Sequence, residues 1–523
     1  MRKRIHSTIY FVGLLLIAFF MPLSMFVTNA SILLIVANWF VEGGYPAKWE
    51  RIKENKGILV FCVIFLAHLL WLVNTSNFDY ALSDLRIKLP LLALPIAIGT
   101  SEALSMKRLN TILLVFVSGV FVASVAGFCA KFFDDGTNYR SLSLFISHIR
   151  LSLMICLSVF VLGYFVVRKI FFTGWKVLIA VLVAVFLLFF MVMLQALTGF
   201  VCLFVTLLLV LVALAVRAKQ KRIRVLGIVS AVAVVVVVGG FMAYVVHDFY
   251  KPTAENRQLE TTAQGHPYDK VVDNGIIENG NVVNMNICRE ELESAWPQLS
   301  SIPLDSLDRR GQHIYATLIR YMTSRGLTKD AEGLSCLSDD DIVNIENGET
   351  NYRFARRGGI LNRMYVIMWE LDVYSKTGES NGHSFTQRIE YMKYGFRLAK
   401  RNFLTGTGIG DVNDEYLSIY ENDDCSLNPE WRNRAHNQFL TFLVAFGIFG
   451  FLICLFAWFY PAFSKWNSNG STYYFMVFFV IATVSMFSDD TLETSTGAVF
   501  VSFFYALLRW GATTAKLENK NGE

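Results

Sequence analysis

The chain has 523 residues, 54% of them hydrophobic and only 17% charged, with a formal net charge of +5 and a positive mean hydropathy. A soluble protein of two or three domains cannot hide that much apolar surface, so part of it must face lipid. The composition excludes an ordinary soluble enzyme and gives no reason to expect a nucleic-acid partner.

In chain order, apolar runs of about 11–17 residues, such as Tyr10–Phe20, Ile58–Leu72, Leu113–Phe128, Leu151–Val167 and Val177–Met193, can with their flanks span a hydrocarbon core roughly 30 Å thick. They lack the alternating polarity of barrel strands, and lipid-exposed backbone must satisfy its own hydrogen bonds, so helices are expected. Twelve are placed near 8–22, 25–41, 58–74, 88–103, 110–129, 149–167, 176–195, 198–216, 225–246, 436–460, 472–488 and 495–510. The first run has no small-residue cleavage site after it and reads as an uncleaved helix. No internal repeat is found, which speaks against a transporter built from duplicated halves.

Between about His247 and Arg434 no comparable run occurs, and that stretch holds 21 of the 47 basic and 29 of the 42 acidic residues. The remaining Lys and Arg gather at Arg2–Arg4, Lys48–Lys56, Arg168–Lys176 and Arg217–Arg224, which puts both termini in the cytoplasm and the acidic segment outside. The fold expected is an all-α polytopic membrane protein of about 12 transmembrane helices, with helices 1–9 over 1–246, a large and mainly helical loop domain over 247–435, and helices 10–12 with a cytoplasmic tail over 436–523.

Within the outer segment, 250–301 is polar and weakly patterned. Helical patterns follow at Gly311–Arg325, Ser338–Ile345, Ile360–Ser375 and Ser384–Lys400, with capping-box spacing at Ser338/Asp341 and Ser384/Gln387. The last of these places Phe385, Ile389, Met392 and Phe396 on one stripe, with Arg388 and Tyr391 beside it. The Gly406-Thr-Gly-Ile-Gly410 run after it follows a helix and not a strand, so it reads as a tight turn in preference to a phosphate cradle. Eight cysteines show no CxxC and no Cys/His cluster. No metal site is expected, and at most one disulfide among Cys288, Cys336 and Cys425.

Trp431-Arg-Asn-Arg-Ala-His-Asn-Gln438 leads into the apolar run Phe439–Phe459. Helical spacing puts Arg432 and His436 on one face at the membrane–water boundary, where a helix amino terminus favours a neutral imidazole, as a general base requires. An anchoring role for the same Trp, Arg and His is the plainer alternative. Arg86 and Lys88 before the fourth helix, and His148 and Arg150 before the sixth, lie at the same level, and together with Arg434 they offer a seat for a phosphate-bearing headgroup. Taken singly, each reads more readily as a snorkelling anchor than as a ligand. Asp489-Asp-Thr-Leu-Glu493 precedes the last helix; Asp490 and Glu493 favour its dipole, hold the arginines, or touch a sugar acceptor. His68 is expected to be hydrogen-bonded inside the bundle.

Three stretches, taken in order and topology, resemble the O-antigen ligase and O-antigen polymerase superfamily of bacterial envelope glycosyltransferases, with a GT-C-like plan. They are Gln387-Arg-Ile-Glu390 with Asn402–Gly410, Arg434-Ala-His-Asn-Gln438 with Gly447-Ile-Phe-Gly450, and Asp489–Glu493. The last, with Asn381–Ser384, is similar to Bacteroides-like members. The resemblance implies transfer of a glycan from undecaprenyl pyrophosphate to an acceptor hydroxyl, commonly a lipid A core sugar, at the periplasmic face of the inner membrane and without metal or cofactor. It implies His436 as the base and Arg388 on the pyrophosphate, with Arg86, Lys88, Arg150 and Arg434 as further headgroup ligands. Polymerase and protein O-oligosaccharyltransferase share this chemistry and differ in acceptor. A lipid-linked glycan transporter is the alternative of another class, and the near absence of ionisable residues from the helix cores argues against it. Where relatives carry Ser-Arg-x-Gly, this chain has Gln195-Ala-Leu-Thr-Gly199, so Leu197 stands where an arginine is expected; either another basic residue such as Arg150 supplies the charge, or the donor is handled differently, or activity is reduced.

Overall fold

A computed structural model describes residues 1–131, 142–271, 274–356, 359–423, 425–464 and 471–512. The expected cytoplasmic tail, 513–523, lies outside them. The protein is an all-α polytopic membrane protein whose described residues form two compact units. One comprises 1–231, 390–425 and 432–523, the other 232–389 and 426–431.

The first unit begins with α1 (Arg2–Phe20), α2 (Met25–Glu42), α3 (Tyr45–Glu54), α4 (Gly57–Leu70), α5 (Phe78–Lys88) and α6 (Pro90–Thr100). It continues with α7 (Met106–Ala130), α8 (His148–Val167), α9 (Lys176–Leu194), α10 (Leu197–Arg217) and α11 (Lys221–Tyr250), the last running on into the second unit. Ten helices among the described residues are long and apolar enough to cross a membrane. The two other expected spans are shorter, α6 at 11 residues with Pro95 inside it and the final helix at 15. Leu178, Val181, Leu182 and Val185 of α9 are exposed, a surface stable only against lipid.

The second unit has its own core, in which Leu292, Trp296, Ile314, Leu318, Met322 and Ile345 are fully or almost fully buried. Its weakly patterned start holds a two-stranded hairpin, β1 (Ile277–Glu278) and β2 (Asn281–Val282), turned by Asn279 and Gly280 at positive φ, as Asn-Gly favours. After it come α12 (Arg289–Ala295), α13 (Ile314–Ser324), α14 (Ala331–Ser335), α15 (Asp339–Glu346), α16 (Tyr352–Arg356), α17 (Ile360–Thr377) and α18 (Ser384–Arg401). Ser338 and Asp341 form the expected capping box of α15. The box expected at Ser384 does not form: Ser384 accepts a hydrogen bond from Arg363 (2.7 Å), and the Phe385 amide donates to Glu370 (2.6 Å).

The buried face of α18 also differs from the expected stripe. Gln387, Tyr391, Tyr394 and Leu398 are buried, while Phe396 is 59% exposed. Gly395 explains the choice within the first unit, because a Cβ there would lie 2.8 Å from Leu440. The chain closes with α19 (Val412–Asn422), α20 (Gln438–Phe463), α21 (Ser471–Ser488) and α22 (Ser495–Arg509), the last buried from Gly497 to Arg509. Among the described residues no disulfide links the cysteines.

The glycine-rich turn has a specific task. Gly447 (φ +61, ψ −170) breaks α20 and frees backbone groups of that helix. Residues 403–408 satisfy them: Thr407 N donates to Val444 O (2.9 Å), Gly408 N to Ala445 O (3.0 Å), and Ile448 N to Phe403 O (2.7 Å). Irregular backbone among membrane helices survives only where protein supplies such partners. The approach is tight enough that a Cβ on Gly406 would sit 2.4 Å from Ala445 backbone, and one on Gly447 would sit 2.4 Å from Leu404 O.

Candidate functional site

Four elements of the first unit bring charged side chains together. Asn77 caps α5, and Asp411 fixes the approach to that helix by accepting from the amides of Ser76 and Asn77, both at 2.7 Å. Asp84 and Lys88, one turn apart on α5, are thereby turned inward. Asn437 caps α20, its side chain accepting from Leu440 N. The helix thus starts at Gln438, and residues 432–437 are not helical. The i,i+4 argument for Arg432 and His436 therefore fails, because Asn437, a favoured capping residue, stops the helix short of both.

The groups form one chain of contacts. Lys88 pairs with Asp84 and, at 2.7 Å, with Glu493. Glu493 accepts from Gln438 Nε2 (2.9 Å) and pairs with Arg434 (3.3 Å), whose Nε lies 3.1 Å from Asp490 Oδ2. Asp490 Oδ1 is 3.5 Å from His436 Nδ1. Arg150, buried on α8, pairs with Asp489 and donates to Asp490 O (3.2 Å) and Thr494 Oγ1 (3.1 Å). Gln438 ties the strand of contacts to the backbone, its Oε1 accepting from Leu492 N at 2.7 Å. The Tyr391 ring meets the imidazole edge to face.

Burial sets the electrostatics. Burial alone would raise the carboxyls of Asp490 and Glu493, but His436 and Arg434 for the first, and Lys88 and Arg434 for the second, hold both below the usual carboxylate range. Burial alone would lower Lys88 and Arg434, but Asp84 and Glu493 for the first, and Glu493 and Asp490 for the second, outweigh it and raise both. Asp84 goes the other way, raised chiefly by burial against the opposing charge of Lys88.

Of the expected basic groups, three are brought together, and each is paired. Lys88, Arg150 and Arg434 face four carboxylates, Asp84, Asp489, Asp490 and Glu493, since buried cations are stable only when paired. Arg86 is exposed on α5 and does not join the cluster, His148 stands half-exposed at the start of α8, and Arg432 is half-buried outside the helix. Arg388 is half-buried on the part of α18 that belongs to the second unit.

A small pocket opens on this cluster, lined by the charged groups Asp84, Lys88, Arg434 and Glu493, and also by Ile409 of the glycine loop and by His68. His68 is hydrogen-bonded to Ile64 O as expected (2.7 Å), and its place on the pocket wall was not anticipated. Asp84 and Gln438 were missed too. Asp84–Lys88 has the i,i+4 spacing of an ordinary surface pair, whereas Gln438 stood inside a quoted motif without a role.

His436, Asp489 and Asp490 each offer a ligand atom, all within 4.8 Å of one another. A divalent cation there would sit against two guanidiniums, Arg150 on Asp489 and Arg434 on Asp490. The arrangement suits an imidazole held through Nδ1 by an ionised carboxylate, with Nε2 left to exchange a proton.

Residues 350–455 match the family model described as O-antigen ligase. That stretch carries Arg388, both glycine motifs, Arg434 and His436, and the match supports the O-antigen ligase superfamily indicated by the motifs. No curated protein matches the chain. The family supports a glycosyltransferase activity of the ligase or polymerase type, with a lipid-linked glycan and a glycan acceptor as partners.

Proposed function

We propose that this protein is an O-antigen ligase-like transferase that moves a glycan from undecaprenyl pyrophosphate to an acceptor hydroxyl, a lipid A core sugar, at the periplasmic face of the inner membrane, with both termini cytoplasmic. The observation that carries the reading is the His436–Asp490–Arg434 arrangement, whose His436 and Arg434 lie inside the segment that matches the family while Asp490 comes from beyond it. In this reaction His436 Nε2 takes the acceptor proton as the hydroxyl oxygen bonds to the anomeric carbon. The bond from that carbon to the phosphate oxygen breaks, and the pyrophosphate leaves with the electron pair.

Attack opposite the leaving group inverts the anomeric centre. Arg388 meets the developing phosphate charge, a task a guanidinium performs without metal. Arg434 is a further headgroup ligand, with Lys88 holding the Glu493 carboxylate that pairs with it and Arg150 holding the Asp490 carbonyl. Arg150 also stands in for the arginine replaced by Leu197: a Cβ on Gly199, two residues into α10, would meet Ser152, two residues past Arg150 on α8.

Deletion of the gene followed by analysis of envelope glycans tests the reading. Undecaprenyl-linked polymer accumulating beside bare core is the expected result. Single repeats still attached to core would make it a polymerase, loss of glycoproteins a protein glycosyltransferase, and unchanged glycans would end the proposal.

A further inference from the structure

Outside the cluster just described, the second unit brings one imidazole, one thiol and one carboxylate together from separate segments. His266 lies in the loop after Thr262, Cys288 is the residue before α12, and Glu291 sits on the first turn of that helix. Their ligand atoms all lie within 4.8 Å of one another, with His266 Nδ1 2.9 Å from Glu291 Oε1. Cys288 and Glu291 are each 2% exposed, while the His266 side chain is 43% exposed.

The frame around them is tied by hydrogen bonds. Cys288 N donates to Lys329 O (2.8 Å), Asp269 N to Ile287 O (2.7 Å), and His266 N to Thr262 Oγ1 (3.2 Å). Glu291 is oriented by Ala331 N on Oε2 (3.0 Å) and by Thr262 Oγ1 on Oε1 (2.5 Å), the kind of outer support that ligating carboxylates have.

We propose that His266, Cys288 and Glu291 form a zinc(II) site that staples the 262–268 loop to α12. A thiolate, an imidazole and a carboxylate are a borderline-soft donor set that selects zinc over calcium or magnesium. Tetrahedral zinc with bonds of about 2.0–2.3 Å sets its ligand atoms roughly 3.3–3.5 Å apart, so these three close on an ion by small movements. Binding sends the thiol proton to solvent and leaves the imidazole proton on Nε2, so Nδ1 bonds the metal where it now meets Glu291. The exposed side of His266 leaves the fourth position to water. The 21 residues between His266 and Cys288 explain why no short-spaced ligand motif announces the site.

The test uses the full-length protein purified in detergent, stripped with a chelator and titrated with cobalt(II), then zinc(II). One cobalt per chain, with a thiolate-to-metal charge-transfer band that zinc abolishes, is expected. The band should vanish in Cys288→Ser, and affinity in His266→Ala should fall by at least the roughly 10–100-fold that losing even an outer-shell partner costs. Zinc should raise the unfolding temperature of the wild type and not of Cys288→Ser. Absence of the band in the wild type, or its persistence in Cys288→Ser, overturns the site and leaves the trio a hydrogen-bonded cluster only. His266→Ala, altered at a half-exposed side chain, keeps the test open should Cys288→Ser fail to fold.

Discussion

Asp490 is held by Arg434 on one oxygen and faces His436 with the other, so its loss should disturb the base without emptying the site. Asp490→Asn is expected to keep the protein folded and to lower the transfer rate by about 10²-fold, the lower end of what general-base catalysis contributes; a wild-type rate would detach Asp490 from the base. Lys88 has a different standing, being 1% exposed between Asp84 and Glu493. Lys88→Met should destabilise the protein by about 3–5 kcal/mol, because two buried carboxylates lose their cation. Thermal unfolding in detergent measures it, and an unchanged midpoint would show that water reaches the cluster.

Acid separates these carboxylates. Asp84, whose carboxyl is raised, costs stability while ionised, and that cost is relieved as the pH falls through its raised value. Asp490 and Glu493, whose carboxyls are lowered, contribute stability above the unfolded value of roughly 4 and lose it as the pH falls through their lowered values. The unfolding temperature should therefore rise slightly on mild acidification before it drops, and the rise should be absent in Asp84→Asn. A steady fall from neutral pH in the wild type would contradict these signs.

At the scale of elements, the broken helix α20 and the loop at 403–408 form a single device. Gly406→Val combines a positive φ with a Cβ set 2.4 Å from the Ala445 backbone, and it should abolish accumulation of folded protein. Gly382→Ala, also at positive φ but with nothing within 4 Å, should cost only the conformational strain of about 1–2 kcal/mol. Equal effects of the two would mean that the contact with α20 is unimportant. The membrane helices were legible because a 3.6-residue period is unnecessary where the whole helix meets lipid or its neighbours; length and apolarity suffice. The helix break at Gly447 was not legible, since a glycine within an apolar run also fits close packing. The start of α20 was misjudged by two residues although Asn437 carried the signal, because the basic residues before it compete for the same interpretation. Asp84 stayed hidden because it reads as an ordinary one-turn pair with Lys88, whose second partner Glu493 lies 405 positions away, and only the fold joins the three.

For the whole molecule, apolar composition and charge distribution led to a polytopic membrane protein, and three short motifs led to the superfamily that residues 350–455 match. Arg388→Ala is expected to lose most transfer activity without rescue by added divalent metal, whereas a wild-type rate would move the pyrophosphate elsewhere. The central claim is that His436 is the base for glycan transfer. Its most direct test is purified His436→Ala protein, shown to be folded by its unfolding temperature, given undecaprenyl pyrophosphate-linked glycan and a lipid A core acceptor. Donor binding without product is the expected result, and product formed at the wild-type rate would contradict the account.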